Sequence, residues 1–193
     1  MKYYLDITLL ADAEANLGFL WQKVYQQIHL GLVENKISEN QSAIAVSFPK
    51  YGDKTFPLGD KLRLLAEDKT QLQQLDTGKW LNRLTDYSHI TSIKEVPLAV
   101  SQYACFSRKQ FDTNAHRLAK RRAKRKTETL EKALEYFEGF TDKESKLPFI
   151  NIKSLTKNEQ FKLFIDCVIT ESSQQSDFNC YGLSKGGNIP WFL

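Results

Sequence analysis

Three side chains in the 193-residue chain have an ordinary pKa suited to moving protons near neutrality: His29, His89 and His116. His116 opens a run of cations and reads as one more polar contact, and His89, in TDYSHIT, reads as a loop residue. His29 has two readings. At the edge of an otherwise apolar helical stripe it is a partly buried ring satisfied by a backbone carbonyl, or a general base if partners converge on it in space. No two histidines are close enough in sequence to form a metal cage, and Cys105, Cys167 and Cys180 do not complete one. The expectation is therefore no metal and no cofactor. The glycines of SKGGN lack the spacing of either phosphate-binding glycine loop and read as a tight turn.

A second chemistry sits in residues 116–126, HRLAKRRAKRK, where seven Lys and Arg occupy eleven positions. At about 100° per residue, Arg117, Lys120, Arg121, Lys124 and Arg125 share one helix face, and Ala115, Ala119 and Ala123 lie opposite. Such a run reads as a solvated face when acids balance it. Here no acid occurs from residue 114 to 127, so the cations repel without internal relief, and a phosphate backbone would remove that repulsion. The pattern favours contact with nucleic acid.

These groups need a scaffold. Tyr3, Leu5, Ile7 and Leu9 alternate with polar residues, the period of a half-buried strand, and AIAVSF at 43–48 does the same. Between them, residues 17–33 predict a helix with Leu20, Val24, Ile28 and Leu32 on one ridge and Trp21, Tyr25 and His29 on the next. A strand at 62–65, helical stretches TQLQQL and WLNRLTDY, and a strand at 93–96 complete a β-α-β-β-α-β order. That order predicts an α+β protein whose N-terminal domain, residues 1–96, is ferredoxin-like (RRM-like). The RNP1 aromatic motif is absent, so base stacking on the strand face is not expected. Residues 97–193 predict a C-terminal domain: the basic helix, a second helix over 128–140, and a small antiparallel sheet from PFINIKS, EQFKLFIDCVI and FNCYGL. The seam is expected near Pro97.

Net charge +4 hints at a polyanionic partner only through its clustering. An odd number of widely spaced cysteines fits no disulfide framework and suggests a reducing cytoplasm. No apolar run approaches the roughly 18 residues of a membrane span, so no membrane partner is expected. The chain also ends unusually, with Tyr181, Trp191 and Phe192 around a Lys-Gly-Gly turn, where chain ends ordinarily fray into small polar residues.

That ending, CYGLSKGGNIPWF, together with LPFINIKS and FKLFI, resembles the CRISPR repeat-processing endoribonucleases of type I-F systems, the Csy-four family. YYLDI, KVYQQIHLGL around His29, and RKQ followed by RL at Arg117 agree in order, while residues 52–92 match only in pattern. The resemblance implies cleavage on the 3′ side of a repeat-RNA stem-loop, without metal, by attack of a ribose 2′-hydroxyl that leaves a 2′,3′-cyclic phosphate. It implies His29 as the base, Ser154 as the holder of the 2′-hydroxyl and Tyr181 as the residue orienting the histidine. It implies further that Arg108 and Gln110 read paired purines, that the cationic face from Arg117 to Arg125 follows the stem, with Arg121 reaching toward the cut, and that Phe161 stacks on the stem's end. It implies, finally, that the product stays bound within a surveillance complex of other type I-F subunits.

Two departures stand out. The arginine-dense register of the family helix is RLAKRR here, with Ala119 and Lys120, which leaves fewer bidentate phosphate forks. A second serine near the catalytic one is replaced by Thr156. The alternative reading is a non-catalytic subunit that binds the RNA hairpin and does not turn over; an RRM-like single-strand binder ranks behind both.

Overall fold

The alternation that predicts the first strand forms it: β1 spans Tyr3–Leu9. The computed structural model describes residues 1–111, 115–138, 145–154 and 159–193. After β1 comes the long helix α1 (Leu17–Glu34), started by Asn16, whose Oδ1 accepts the Phe19 N–H at 3.0 Å. A short polar side chain at that position satisfies one of the donors a helix start leaves open. β2 (Ile44–Ser47), β3 (Lys61–Ala66), the short helices α2 (Lys69–Leu75) and α3 (Thr77–Trp80), and the strands β4 (Ser88–Ile90) and β5 (Lys94–Glu95) follow. They build an antiparallel sheet in the order β2-β3-β1-β4, with β5 also on β1.

One apolar core joins this sheet to α1. Leu20, Trp21, Val24, Tyr25, Ile28 and Leu32 pack with Leu5, Ile7, Leu62 and Leu64. A Cβ on Gly31 would stand 2.9 Å from both Leu75 Cδ1 and Trp80 Nε1, so only glycine lets the helix lie so close to them. The same core takes in a second antiparallel sheet through Phe106, Ile152, Leu163 and Ile189. That sheet has the order β7-β8-β6-β9, from β6 (Tyr103–Lys109), β7 (Phe149–Lys153), β8 (Gln160–Thr170) and β9 (Ile189–Pro190). Between β6 and β7 lie α4 (Ala115–Lys126) and α5 (Leu130–Glu135).

The chain divides into two compact units, Met1–Lys109 with Pro148–Leu193, and Gln110–Leu147. The seam anticipated near Pro97 falls inside the first. In the second, Thr129 caps α5 by accepting the Lys132 N–H, and Arg122 joins α4 to the α5 segment. Its Nε lies 2.7 Å from Glu128 and its guanidinium 3.8 Å from the centre of the Tyr136 ring.

Five sequence expectations are corrected. WLNRLTDY is helical only to Trp80; beyond it the chain closes turns, with Leu84 N–H on Leu81 O and Tyr87 N–H on Leu84 O. The strand expected at 93–96 forms as the two-residue β5, and a further strand, β4, also pairs with β1; between them Thr91 trades hydrogen bonds with the Asp6 backbone through its own N–H and its hydroxyl. His89 consequently lies in β4, not in a loop. Of the helix anticipated over 128–140, the described part is the shorter α5, and residues 139–140 lie outside the described residues. FNCYGL is a turn: Asn179 Oδ1 collects the N–H groups of Tyr181 and Leu183, which overrides the apolar alternation.

The end of the chain is tied down by a buried ion pair that sequence reading did not anticipate. Arg63, 2 % exposed, forks onto both carboxylate oxygens of Asp6 at 2.6 and 2.9 Å. Its Nη1 donates to the Phe192 carbonyl at 2.7 Å, and its guanidinium faces the Tyr4 and Phe192 rings at 4.6 and 3.9 Å. Among the described residues, no helix is long and apolar enough to cross a membrane.

Candidate functional site

His29 sits on the partly buried edge of α1, and two contacts fix its ring. Nδ1 lies 2.8 Å from the carbonyl of Cys180, and the Tyr181 ring stacks on the imidazole at 4.1 Å with only 3° between planes. A carbonyl only accepts, so Nδ1 carries the hydrogen and the neutral ring keeps its lone pair on Nε2. Burial pushes the His29 pKa below its ordinary value; the Cys180 bond works the other way, and the positive charge of Arg108 adds to the lowering. The carbonyl satisfies the ring, as one reading of the sequence expects, and leaves Nε2 with the lone pair that a base would use.

The turn that carries Tyr181 is built to hold it still. Gly182 has φ +70°, and a Cβ there would fall 2.4 Å from Val46 Cγ2, so backbone freedom and lack of a side chain are both required. Val46 N–H in β2 donates to the Gly182 carbonyl at 2.8 Å, and Tyr25 Oη donates to the Tyr181 carbonyl, also at 2.8 Å. Phe178 and Ser42 form a further bridge between the turn and the first sheet.

Arg108 and Phe161 complete the cluster. β6 alternates, with Ala104 and Phe106 buried, and Arg108 follows on that inward face. Its guanidinium lies 5.5 Å from the Tyr181 ring centre and 5.1 Å from that of Phe161, which β8 supplies opposite Ile152. Arg108 Nε is buried without a hydrogen-bond partner. Ser154 follows directly on β7; its N–H donates to Glu159 O at 2.8 Å, and the preceding Lys153 N–H donates to Gln26 Oε1 on α1 at 2.9 Å. His29, Tyr181, Arg108, Phe161 and Ser154 thus belong to the first unit, drawn from one helix, three strand ends and the terminal turn.

The other predicted residues belong to the second unit. Gln110 is exposed just after β6. On α4, Lys120, Arg121, Lys124 and Arg125 are exposed and Ala119 is buried, as the helical period requires, while the side chain of Arg117 lies outside those described. His116 is exposed at the start of the same helix. Thr156 lies outside the described residues.

Sequence reading missed Tyr25 and Gln26. Tyr25 carried a faint signal, its i,i+4 spacing to His29, but nothing marked its hydroxyl as a hydrogen-bond donor; Gln26 carried none. Two open hollows of about 520 and 430 Å³ share Met1, Tyr103 and Pro190, and none of the candidate residues lines either. Among the described residues, no three His, Cys, Asp or Glu side chains group as metal ligands.

The chain is similar over its whole length to known proteins. The family profile described as CRISPR-associated protein (Cas_Csy4) matches residues 4–192. A CRISPR-associated endonuclease Cas6/Csy4 from Escherichia coli (strain UTI89 / UPEC) is 33 % identical over 193 residues, and one from Pseudomonas aeruginosa (strain UCBPP-PA14) is 32 % identical over 193; each alignment covers all of both chains.

Proposed function

Because the chain belongs to the Csy4 family of CRISPR-associated proteins, whose curated relatives are endonucleases, we propose that it is an endoribonuclease that cuts CRISPR repeat RNA beside a stem-loop and so releases guide RNAs. The observation that carries this reading is His29: Nδ1 bound to a carbonyl, the ring stacked on Tyr181, and a pKa held low, which together present a neutral Nε2 as base.

The reaction follows from that arrangement. His29 Nε2 takes the proton of the ribose 2′-hydroxyl, Ser154 holds that hydroxyl in line, and the 2′-oxygen attacks the adjacent phosphorus. The bond to the 5′-oxygen breaks, that oxygen leaves with a proton from water, and a 2′,3′-cyclic phosphate remains. No metal is required. Tyr181 fixes the plane of the imidazole, so the lone pair keeps one direction; positioning of this kind is a large part of what a weak nucleophile needs.

Recognition is divided between the units. Arg108 and Gln110 read paired purines, since arginine forks onto guanine O6 and N7 and glutamine onto adenine N6 and N7. The exposed cations of α4 follow the phosphates of the stem, because an A-form major groove is too narrow for most side-chain readout. Phe161 stacks on the stem's end. The order β2-β3-β1-β4, with a helix after β1 and helices after β3, supports a ferredoxin-like arrangement for residues 1–96, with recognition in 97–193. The product stays bound and joins a type I-F surveillance complex.

The test is cleavage of the system's repeat RNA in EDTA, beside a copy with a 2′-deoxy ribose just upstream of the cut. Cutting of the first RNA alone is the expected result. Tight binding of both without cutting would replace the enzyme by a subunit that only holds the hairpin.

A further inference from the structure

One turn of α1 grips two separate parts of the site through three hydrogen bonds. Tyr25 Oη donates to Tyr181 O, Gln26 Oε1 accepts from Lys153 N, and His29 Nδ1 donates to Cys180 O, at 2.8, 2.9 and 2.8 Å. Positions 25, 26 and 29 are neighbours on a helix surface through i,i+3 and i,i+4 spacing. Their partners lie 156, 127 and 151 residues away, so these bonds set tertiary geometry and add nothing to the helix itself.

Neither Tyr25 nor Gln26 is explained by packing. Tyr25 is 1 % exposed between Phe48 and the rest of the core, where a phenylalanine would fill the same volume. Its hydroxyl is needed only for the Tyr181 carbonyl. Gln26 is oriented by its bond: turned over, its NH2 would face the Lys153 N–H, donor against donor. In the orientation observed, its Nε2 is buried without a hydrogen-bond partner among the described residues, a state that costs free energy. A side chain kept at such a cost has a use at its other end, and that end holds the residue before Ser154.

We propose that Tyr25 and Gln26 are positioning residues for RNA cleavage, Tyr25 keeping the Tyr181 ring on His29 and Gln26 fixing the end of β7 that Ser154 continues. The inference rests on the reading of His29, Ser154 and Tyr181 given above. Losing the Tyr25 bond frees the turn to rock, which uncovers the imidazole; losing the Gln26 bond frees Ser154 and leaves the imidazole alone. The two variants therefore have different signatures.

The experiment is single-turnover cleavage of saturating repeat RNA by the full-length protein and its Tyr25→Phe and Gln26→Leu variants. Each is expected to slow cutting by about five- to tenfold, the worth of one neutral hydrogen bond, with hairpin affinity unchanged. Thermodynamic cycles give the decisive readout: Tyr25→Phe should cost nothing more in a Tyr181→Ala background, and Gln26→Leu nothing more in Ser154→Ala. NMR titration of the His29 ring, without RNA, should show its pKa rising toward the ordinary value in Tyr25→Phe and unmoved in Gln26→Leu; Arg108 and Tyr181 are the other ionisable groups around that ring. Wild-type rates, additive losses in both backgrounds, or losses matched by weaker hairpin binding would overturn the assignment. His29→Ala separates this from the underlying reading: if that variant still cuts, the reading itself fails, and if it is dead while Tyr25→Phe and Gln26→Leu cut normally, only the positioning roles fall.

Discussion

The two units use cations in opposite ways. In the first, Arg63 and Arg108 lie against aromatic rings, and Arg63 is almost fully buried with three oxygens around it. In the second, Lys120, Arg121, Lys124 and Arg125 stand exposed on α4, with no ion pair among the described residues; Arg122 alone on that helix is paired. A buried guanidinium has one geometry and acts by shape. An exposed cation on a flexible stem acts by its field, which neighbours reinforce and salt screens. The two units thus hold their cations differently, packed against rings in the first and exposed on α4 in the second.

The comparison is tested most severely by His29→Ala, expected to lower the cleavage rate about a thousandfold, within the range for loss of a general base, while gel-shift affinity for the hairpin stays unchanged. A parallel loss of affinity would show that the site also binds. Next is Arg63→Ala, which leaves the buried Asp6 carboxylate with only the longer, more exposed Lys61 contact at 3.5 Å and should destabilise the protein by about 3 kcal/mol in denaturant unfolding. Replacing both partners by leucine and methionine should restore most of that loss, since an apolar pair leaves no buried charge. Removing Lys120, Arg121, Lys124 and Arg125 together should weaken hairpin binding about a hundredfold and flatten the dependence of log affinity on log salt by about three, with the rate at saturating RNA retained. A rate loss at saturation would mean that the α4 cations also position the substrate.

The smallest effect is in pH. Protonation of His29 removes the base, so the rate rises with pH through the His29 pKa and then levels. Because burial places that pKa below the ordinary value of about 6.5, more than half of the ring is still neutral at that pH. Single-turnover rates at pH 6.5 and 8 should thus differ less than about twofold, with the acid limb lying below. A limb centred above 6.5 would show that the imidazole is more hydrated in solution than its packing against Tyr181 allows.

Much of the scaffold was legible because it depends on period. The alternation from Tyr3 to Leu9 and the ridges of α1 are short-range consequences of which side chains leave water, and β1 and α1 form within a residue of their expected bounds. Expectation failed where a single polar residue or glycine overrode the period, at Thr91 in the edge strand and at Asn179 and Gly182 in the terminal turn. The candidate base was legible as a residue type; its readiness was not, because the Cys180 carbonyl and the Tyr181 ring lie about 150 positions away.

By itself the sequence determined the elements, the cationic face of α4 and, through its closing motif, the family, since periodicity, charge and local motif are properties of neighbours along the chain. Tertiary structure decided which nitrogen of His29 meets a carbonyl, why its pKa is lowered, and which distant segments Tyr25, Gln26 and Arg63 hold. Those depend on burial and on hydrogen bonds between segments that only the closed core brings within 3 Å of each other.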